Sequence, residues 1–175
     1  MLTTTFPLPM TSNPQAFRKV MSNFPTGVAL LCFTNDKNQV IGITINSVCS
    51  LSLEPCLVSF CMKNRAHSFK EISQKKNFTI NFLSGSQTEL AIQGTQRGGY
   101  AIPLETICSE EEQGLHLKGS MASIDIAPTS IVPVGDHSLF ICEVNSLKNC
   151  CEDDPLIFYR GNLKALQEGR FRYAA

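Results

Sequence analysis

An excess of charge of either sign is what this sequence most plainly lacks. Lys plus Arg and Asp plus Glu number 15 each, so no global field draws nucleic acid or anionic lipid, and no long basic block supplies a local one. Long apolar runs are missing too, and no stretch approaches the roughly 20 residues that a membrane helix requires. The residues from Met1 to Asn13 lack the basic cluster and apolar run of an export signal, and Pro7 and Pro9 interrupt their few hydrophobic positions. The expectation is a soluble, cytoplasmic protein with a flexible arm over 1–13 and no nucleic-acid or membrane partner.

Several chemical signatures are absent as well. No G-x-G-x-x-G follows a strand, which disfavours a doubly wound nucleotide fold. The absence of G-x-x-x-x-G-K-[ST] and of G-x-S-x-G removes phosphate-loop hydrolysis and the common serine-hydrolase arrangement. Eight cysteines are present, yet neither Cys49, Cys56 and Cys61 nor the adjacent Cys150-Cys151 has the paired spacing of a metal site, so none is expected. Cys32, Cys61 and Cys142 fall inside apolar strand patterns, and buried, reduced thiols are the simpler account.

What is there is enough for one domain. The chain has 175 residues, 43% hydrophobic and 17% charged, which supports a single core, placed over 14–166 with a polar tail over 167–175. Its centre of organisation is the nearly uncharged stretch Gly42–Pro55. With period two, Thr44, Asn46, Ser50 and Ser52 fall on one face and Ile43, Ile45, Leu51 and Leu53 on the other, with Ser47, Val48 and Cys49 interrupting. A face of short hydroxyls and an amide suits a flat, polar-edged ligand; it also suits an ordinary half-buried strand.

Around that stretch the pattern is mostly strand. Asn13-Pro14 opens a short amphipathic helix with Phe17, Val20, Met21 and Phe24 on the face expected to lie on the core, closed by Pro25. Thr26–Thr34 reads as a strand, Asn35–Asn38 as the turn returning it antiparallel, and Cys56–Met62 as a buried third strand. Lys63, Asn64, Arg65, His67 and Ser68 stand at the mouth of a helix reaching about Lys75, where cations beside free amides suit a phosphate; an ordinary basic loop with Ser68 as helix cap has the same pattern. Asn77–Leu83 alternates as a strand, with Asn81 facing either the polar row or a neighbouring strand.

Ser86–Glu89 fits a capping box, and Gly94–Gly99 has the composition of a mobile loop. After the acidic turn Glu110–Glu112, Leu115–Ile126 holds one or two strands, with Pro128 and Pro133 framing a break before Ser138–Val144. Leu156–Tyr159 is a last strand before a turn and tail. Many antiparallel strands and few helices make an antiparallel barrel the expected architecture.

The segments FRKVMSNFPTGVALL, GITINSVCSLSLEPCLVSF, FTINFLSGSQTEL, GDHSLFICEV and PLIFYRGN, in that order, resemble the flavin reductase family with its FMN-binding split-barrel fold. The resemblance spans roughly Phe17 to Leu163 and implies a mainly β, six-stranded split barrel that dimerises. It further implies FMN or FAD in a groove near the subunit interface, reduced by NADH or NADPH, and reduced flavin handed to a separate monooxygenase. By the same likeness Thr44, Ile45, Asn46, Ser47, Ser50, Leu51 and Ser52 line the flavin. Lys63, Arg65 and Ser68 approach its phosphate, Asn81 matches a family strand motif, His137 lies where nicotinamide meets flavin, and Tyr159 belongs to the closing motif.

The chain departs from the pattern at Cys49, where Thr is common, at Cys56, where Pro is common, and over Gly94–Pro103, which lacks the usual phenylalanine-bearing segment. Other readings stay open: a tightly held flavin serving another acceptor, a non-catalytic flavin- or haem-binding module, or a cysteine redox sensor at Cys150 and Cys151.

Overall fold

The structure is a computed structural model that describes residues 13–108, 114–150 and 153–166. The arm up to residue 12, the acidic turn Glu110–Glu112, Cys151 and the tail over 167–175 lie outside the described residues.

Asn13 caps the first helix, its side-chain oxygen accepting from the Gln15 amide at 2.9 Å. Helix α1 (Pro14–Met21) is short and amphipathic as its spacing predicts, but it buries none of its residues. Phe17, Val20, Met21 and Phe24 are 60%, 68%, 49% and 68% exposed, so this face does not lie on the chain's own core as expected. Periodicity dictates that an apolar face exists and leaves open which surface covers it.

The strand predicted over Thr26–Thr34 divides at Val28. Its first part, β1 (Thr26–Gly27), joins a small sheet, while β2 (Ala29–Thr34) joins the main one. Val28 ties the two, donating to Leu156 O at 3.1 Å and accepting from Leu83 N at 3.0 Å. The Asn35–Asn38 turn, with Asn38 at φ 59°, returns the chain into β3 (Val40–Ile45) in the expected antiparallel register. A second hairpin joins β4 (Cys49–Leu53) to β5 (Cys56–Lys63).

Helix α2 (Phe69–Ile72) is four residues long and stops short of Lys75. Strand β6 (Phe78–Phe82) follows, then a 3-10 turn over Gly85–Gln87 and helix α3 (Thr88–Gln93). The capping box sits two residues earlier than predicted, because Gln87 supplies the returning acceptor, taking the Ser84 N–H at 3.1 Å. After β7 (Tyr100–Ala101), two strands of 13 residues, β8 (Ala122–Val134) and β9 (His137–Asn149), form the longest ribbon.

That ribbon overturns the reading of Pro128 and Pro133 as a break. Strand β8 pairs with β6 only over Ala122–Phe82 to Ile126–Phe78, and beyond it with β9 alone, so a missing N–H on the outer edge forfeits no ladder bond. A bulge between Pro128 and Ser130 absorbs the remaining mismatch. The small sheet is completed by β10 (Leu156–Tyr159) and β11 (Asn162–Ala165), the latter lying where a turn and tail are predicted.

The main sheet is eight-stranded in the order β4-β5-β9-β8-β6-β2-β3-β7, and the small one three-stranded, against the six strands expected. The run from β5 to β3 is the barrel wall, and β4 and β7 extend its margins. No helix among the described residues is long and apolar enough to cross a membrane. Alternation turns Leu31, Phe33, Phe60, Phe78, Ile80 and Phe140 inward. Phe60 stacks on Phe140 at 4.7 Å, Phe78 meets Phe33 and Phe60 edge-on at 6.4 and 6.2 Å, and Phe69 of α2 closes over Phe140 at 6.2 Å. Each contact adds about 0.5–1.5 kcal/mol beyond area burial.

Two polar nodes fasten the outer layer. Asn81 is fully buried, donating to Leu115 O at 3.1 Å and Cys32 Sγ at 3.4 Å, and accepting from Leu117 N at 2.9 Å and Ser123 Oγ at 2.7 Å. It pins the 115–117 segment to β6. Asp125 accepts from Thr79 Oγ1 at 2.6 Å, His116 Nε2 at 3.0 Å and Ser146 Oγ. Burial pushes the Asp125 carboxyl up, but the donors Ser146, Thr79 and His116 together outweigh it and hold the group below the usual carboxylate range.

Asn81→Leu orphans a buried N–H and C=O and should cost about 2–4 kcal/mol in urea unfolding; unchanged stability would show that the amide fastens nothing. Because the folded value of Asp125 is depressed, its contribution is present above the ordinary carboxylate value, about 3.9, and is lost as pH falls through the lowered one. Urea midpoints of the wild type should therefore drop more steeply below about pH 4 than those of Asp125→Asn; equal acid slopes would contradict this.

Candidate functional site

Strands β3 and β5 stand near opposite ends of the main sheet's order, yet the barrel's curvature brings them to two sides of one groove. No ladder joins them. Ser47, just past β3, stitches one end of the gap: its hydroxyl accepts from Cys61 N at 2.9 Å and donates to Cys61 O at 3.3 Å. A side chain does here what a backbone pair does inside a ladder.

The groove measures about 420 Å³, inside the range of small-molecule sites. Ile43, Thr44 and Ile45 wall it on one side, and Cys61, Met62 and Lys63 on the other. Lys63 of β5 and His137 of β9 are directly paired residues, which sets both on the same face. His137 Nδ1 lies 2.8 Å from Asp136 Oδ1. A carboxylate only accepts, so Nδ1 carries the hydrogen and Nε2 of the neutral ring is left with a lone pair. The His137 ring in turn holds the Asp136 carboxyl below its ordinary range. Asn64 steadies this turn, its N–H donating to Asp136 O at 3.0 Å and its side chain accepting from Ser138 Oγ at 2.7 Å.

Of the residues predicted to bind a cofactor, Thr44, Ile45, Lys63 and Ser68 line the groove together with His137. Thr44 spends its hydroxyl hydrogen on Ala91 O at 2.6 Å, and Ser68 is buried without capping α2. Asn46 is exposed and donates to Thr26 Oγ1 at 3.2 Å. Ser50, Leu51 and Ser52 lie on β4 beyond Ser47, outside the groove wall, with Ser52 accepting from the Glu54 amide at 3.3 Å. Asn81 stands behind the sheet with its amide saturated.

Arg65 lines an adjoining depression with Lys63, Asn64, Gly135 and Asp136, so Lys63 marks the border between the two. Tyr159 is half-buried in the small sheet, with the Arg160 guanidinium 5.2 Å from its ring centre and Arg160 Nε donating to Asn23 Oδ1 at 3.0 Å. The helix mouth offers less than predicted. Ala66 N and Phe69 N already donate to Lys63 O and Ala66 O at 3.0 Å each, and a single turn carries little dipole.

Sequence reasoning missed the far wall, formed by the loop Gly94–Gly99 with His67 beneath it. The signal was the GTQRGG composition, read as mobility. The loop is instead clamped to β3. Gly94 O accepts from Thr44 N at 3.1 Å, and a Cβ on Gly94 would overlap Thr44 Oγ1 and stand 2.6 Å from Leu30 Cδ1. At the other end Gly99, at φ +90°, leaves room for Ile41 and Gly42, whose O would be 2.9 Å from an added Cβ.

The thiols divide. Cys32 and Cys142 are buried as expected, which pushes each up to about 12; Cys61 is only half-buried, though burial raises it too, and Cys49 and Cys56 are exposed. No disulfide and no metal-holding cluster of acidic, His and Cys side chains occurs among the described residues. A depression of about 760 Å³ around Thr79, His116 and Asp125 is a separate surface, where Asp125 takes hydrogen bonds from Thr79 and His116.

A family profile described as flavin reductase like domain matches residues 21–167. The reductase subunit HsaB of a flavin-dependent monooxygenase from Rhodococcus jostii (strain RHA1) is 31% identical over 155 residues, 89% of this chain and 79% of that protein. The FMN reductase (NADH) SmoA from Agrobacterium fabrum (strain C58) is 29% identical over 155 residues, 88% and 87% of the two chains. The solved structure of flavin reductase PheA2 superposes with a TM-score of 0.76 at 32% identity, over 90% of this chain and 100% of that one. With barrel order, groove and profile in agreement, the chain belongs to the flavin reductase like domain family.

Proposed function

We propose that this protein reduces FMN or FAD with NADH or NADPH and releases the reduced flavin to a partner monooxygenase. The observation that carries the reading is the unladdered groove between β3 and β5, walled by Ile43, Thr44 and Ile45 on one side and Cys61, Met62 and Lys63 on the other. Relatives named as the reductase subunit of a flavin-dependent monooxygenase and as an NADH-using FMN reductase support it.

The donor set fits a flat heteroaromatic ring with a phosphorylated tail. Ile43, Ile45 and Met62 offer apolar contact, Asn46 and Ser50 offer exposed polar groups, and Lys63 offers a charge at the rim. When bound, flavin supplies the hydride-accepting ring, so the protein's work is binding and orientation. Asn46 takes the ring's polar edge, Leu51 and Ser52 continue the contact along β4, and Ser47 keeps the two walls at a fixed distance. Lys63, Arg65 and Ser68 serve the phosphate end, and Tyr159 approaches from the small sheet. Asn81 acts from behind, by holding the layer on which β6 rests. His137, its tautomer set by Asp136, turns Nε2 toward the incoming nicotinamide. An open groove favours a flavin that exchanges at each turnover over one held permanently.

The assembly is a homodimer working in the cytoplasm. The exposed face of α1, with Leu51 and Leu53 at 48% and 85% exposure, is apolar surface that a second copy would cover beside the flavin row. Cysteines left free on the surface, such as Cys49 and Cys56, suit a reducing compartment.

NADH or NADPH oxidation by the purified protein should rise and saturate as FMN or FAD is added; no stimulation by either flavin with either nucleotide would overturn the proposal. His137→Ala should lower kcat/KM for the nicotinamide donor about 10- to 100-fold with flavin affinity within about threefold of wild type. Hydride transfer at the wild-type rate would remove His137 from the site.

A further inference from the structure

In the groove the chain's balanced charge is locally broken. Of the side chains lining it, Lys63 and Arg97 are cations and none is Asp or Glu. Lys63 rises from the β5 wall, while Arg97 enters from the opposite side on the Gly94–Gly99 loop. Arg97 is exposed, and among the described residues no carboxylate pairs with it. Its position is nonetheless constrained. Gly94 and Gly99 hold both ends of the loop against β3, the Gly99 N–H donates to Gln96 O at 3.0 Å, and Tyr100 and Ala101 continue as a ladder on Gly42 and Ile41.

We infer that Arg97 is a specificity-determining residue that recognises a phosphate group on the nucleotide in this groove, from the wall facing Lys63. The inference rests on the flavin reading proposed above. A guanidinium offers parallel N–H donors matched to phosphate oxygens, keeps its charge at every working pH, and on a fixed loop loses little freedom on binding. Where the resemblance leads one to expect an aromatic cover, this chain presents a cation. A ligand portion meeting that wall is therefore anionic. Two sources carry such a group: the phosphate of the flavin and the diphosphate of the nicotinamide dinucleotide.

The test compares wild type, Arg97→Gln and Arg97→Lys. Dissociation constants for FMN and riboflavin are measured by flavin fluorescence, and KM values for NADH and for reduced nicotinamide riboside by steady-state kinetics. Loss of one charge-assisted phosphate contact is expected to weaken the phosphate-bearing ligand about tenfold or more in Arg97→Gln, with its phosphate-free partner within about twofold and Arg97→Lys between the two. A selective effect on FMN assigns the contact to the flavin, and one on NADH assigns it to the dinucleotide; both support the inference. Equal effects on phosphate-bearing and phosphate-free ligands, or none, overturn it while leaving the flavin reading intact. Wild-type protein that binds neither riboflavin nor FMN overturns that reading and this inference with it.

Discussion

An antiparallel sheet that curls until its margins meet must either pair them or hold them apart, and this barrel holds them apart. Strands β3 and β5 share one core and no ladder. The aromatic series from Phe33 through Phe78, Phe60 and Phe140 to Phe69 sets the barrel's girth from inside. Ser47 sets the gap from outside, with one hydroxyl standing in for a backbone pair at Cys61. The groove is what remains, and the elements around it are arranged on its two lips.

Chemistry reaches those lips through register. Lys63 and His137 meet because β5 and β9 pair residue for residue up to that point, and the turn beyond is tied down by Asn64 and Asp136. The opposite lip is β3 and the glycine-bounded loop. Its charge comes from Arg97, on a protein whose total charge is zero. The distribution, and not the sum, gives this surface its character.

Local chemistry was legible where it decided the structure locally. The Asn35–Asn38 turn, the strands around Cys56–Met62 and Asn77–Leu83, and the closing strand at Leu156 follow from turn residues and alternation. What escaped depends on neighbours distant in sequence. Pro128 is tolerated because β8 has run past β6, an edge that no window around the proline reveals. Asn81 looks like a ligand-facing group until Leu115 and Leu117 arrive to take its hydrogen bonds, and Thr44 lines the groove with its hydroxyl hydrogen already given to Ala91. The outward face of α1 and the anchored state of Gly94–Gly99 escaped for the same reason: spacing and composition name a surface or a loop and not its counterpart.

The two glycine footholds on β3 have an implication for how such proteins diversify. Between them Thr95, Gln96 and Arg97 are exposed and line the groove. Residues 95–97 can thus be rewritten as an interchangeable insert that reshapes one wall of the groove without crowding β3, so long as neither foothold acquires a side chain.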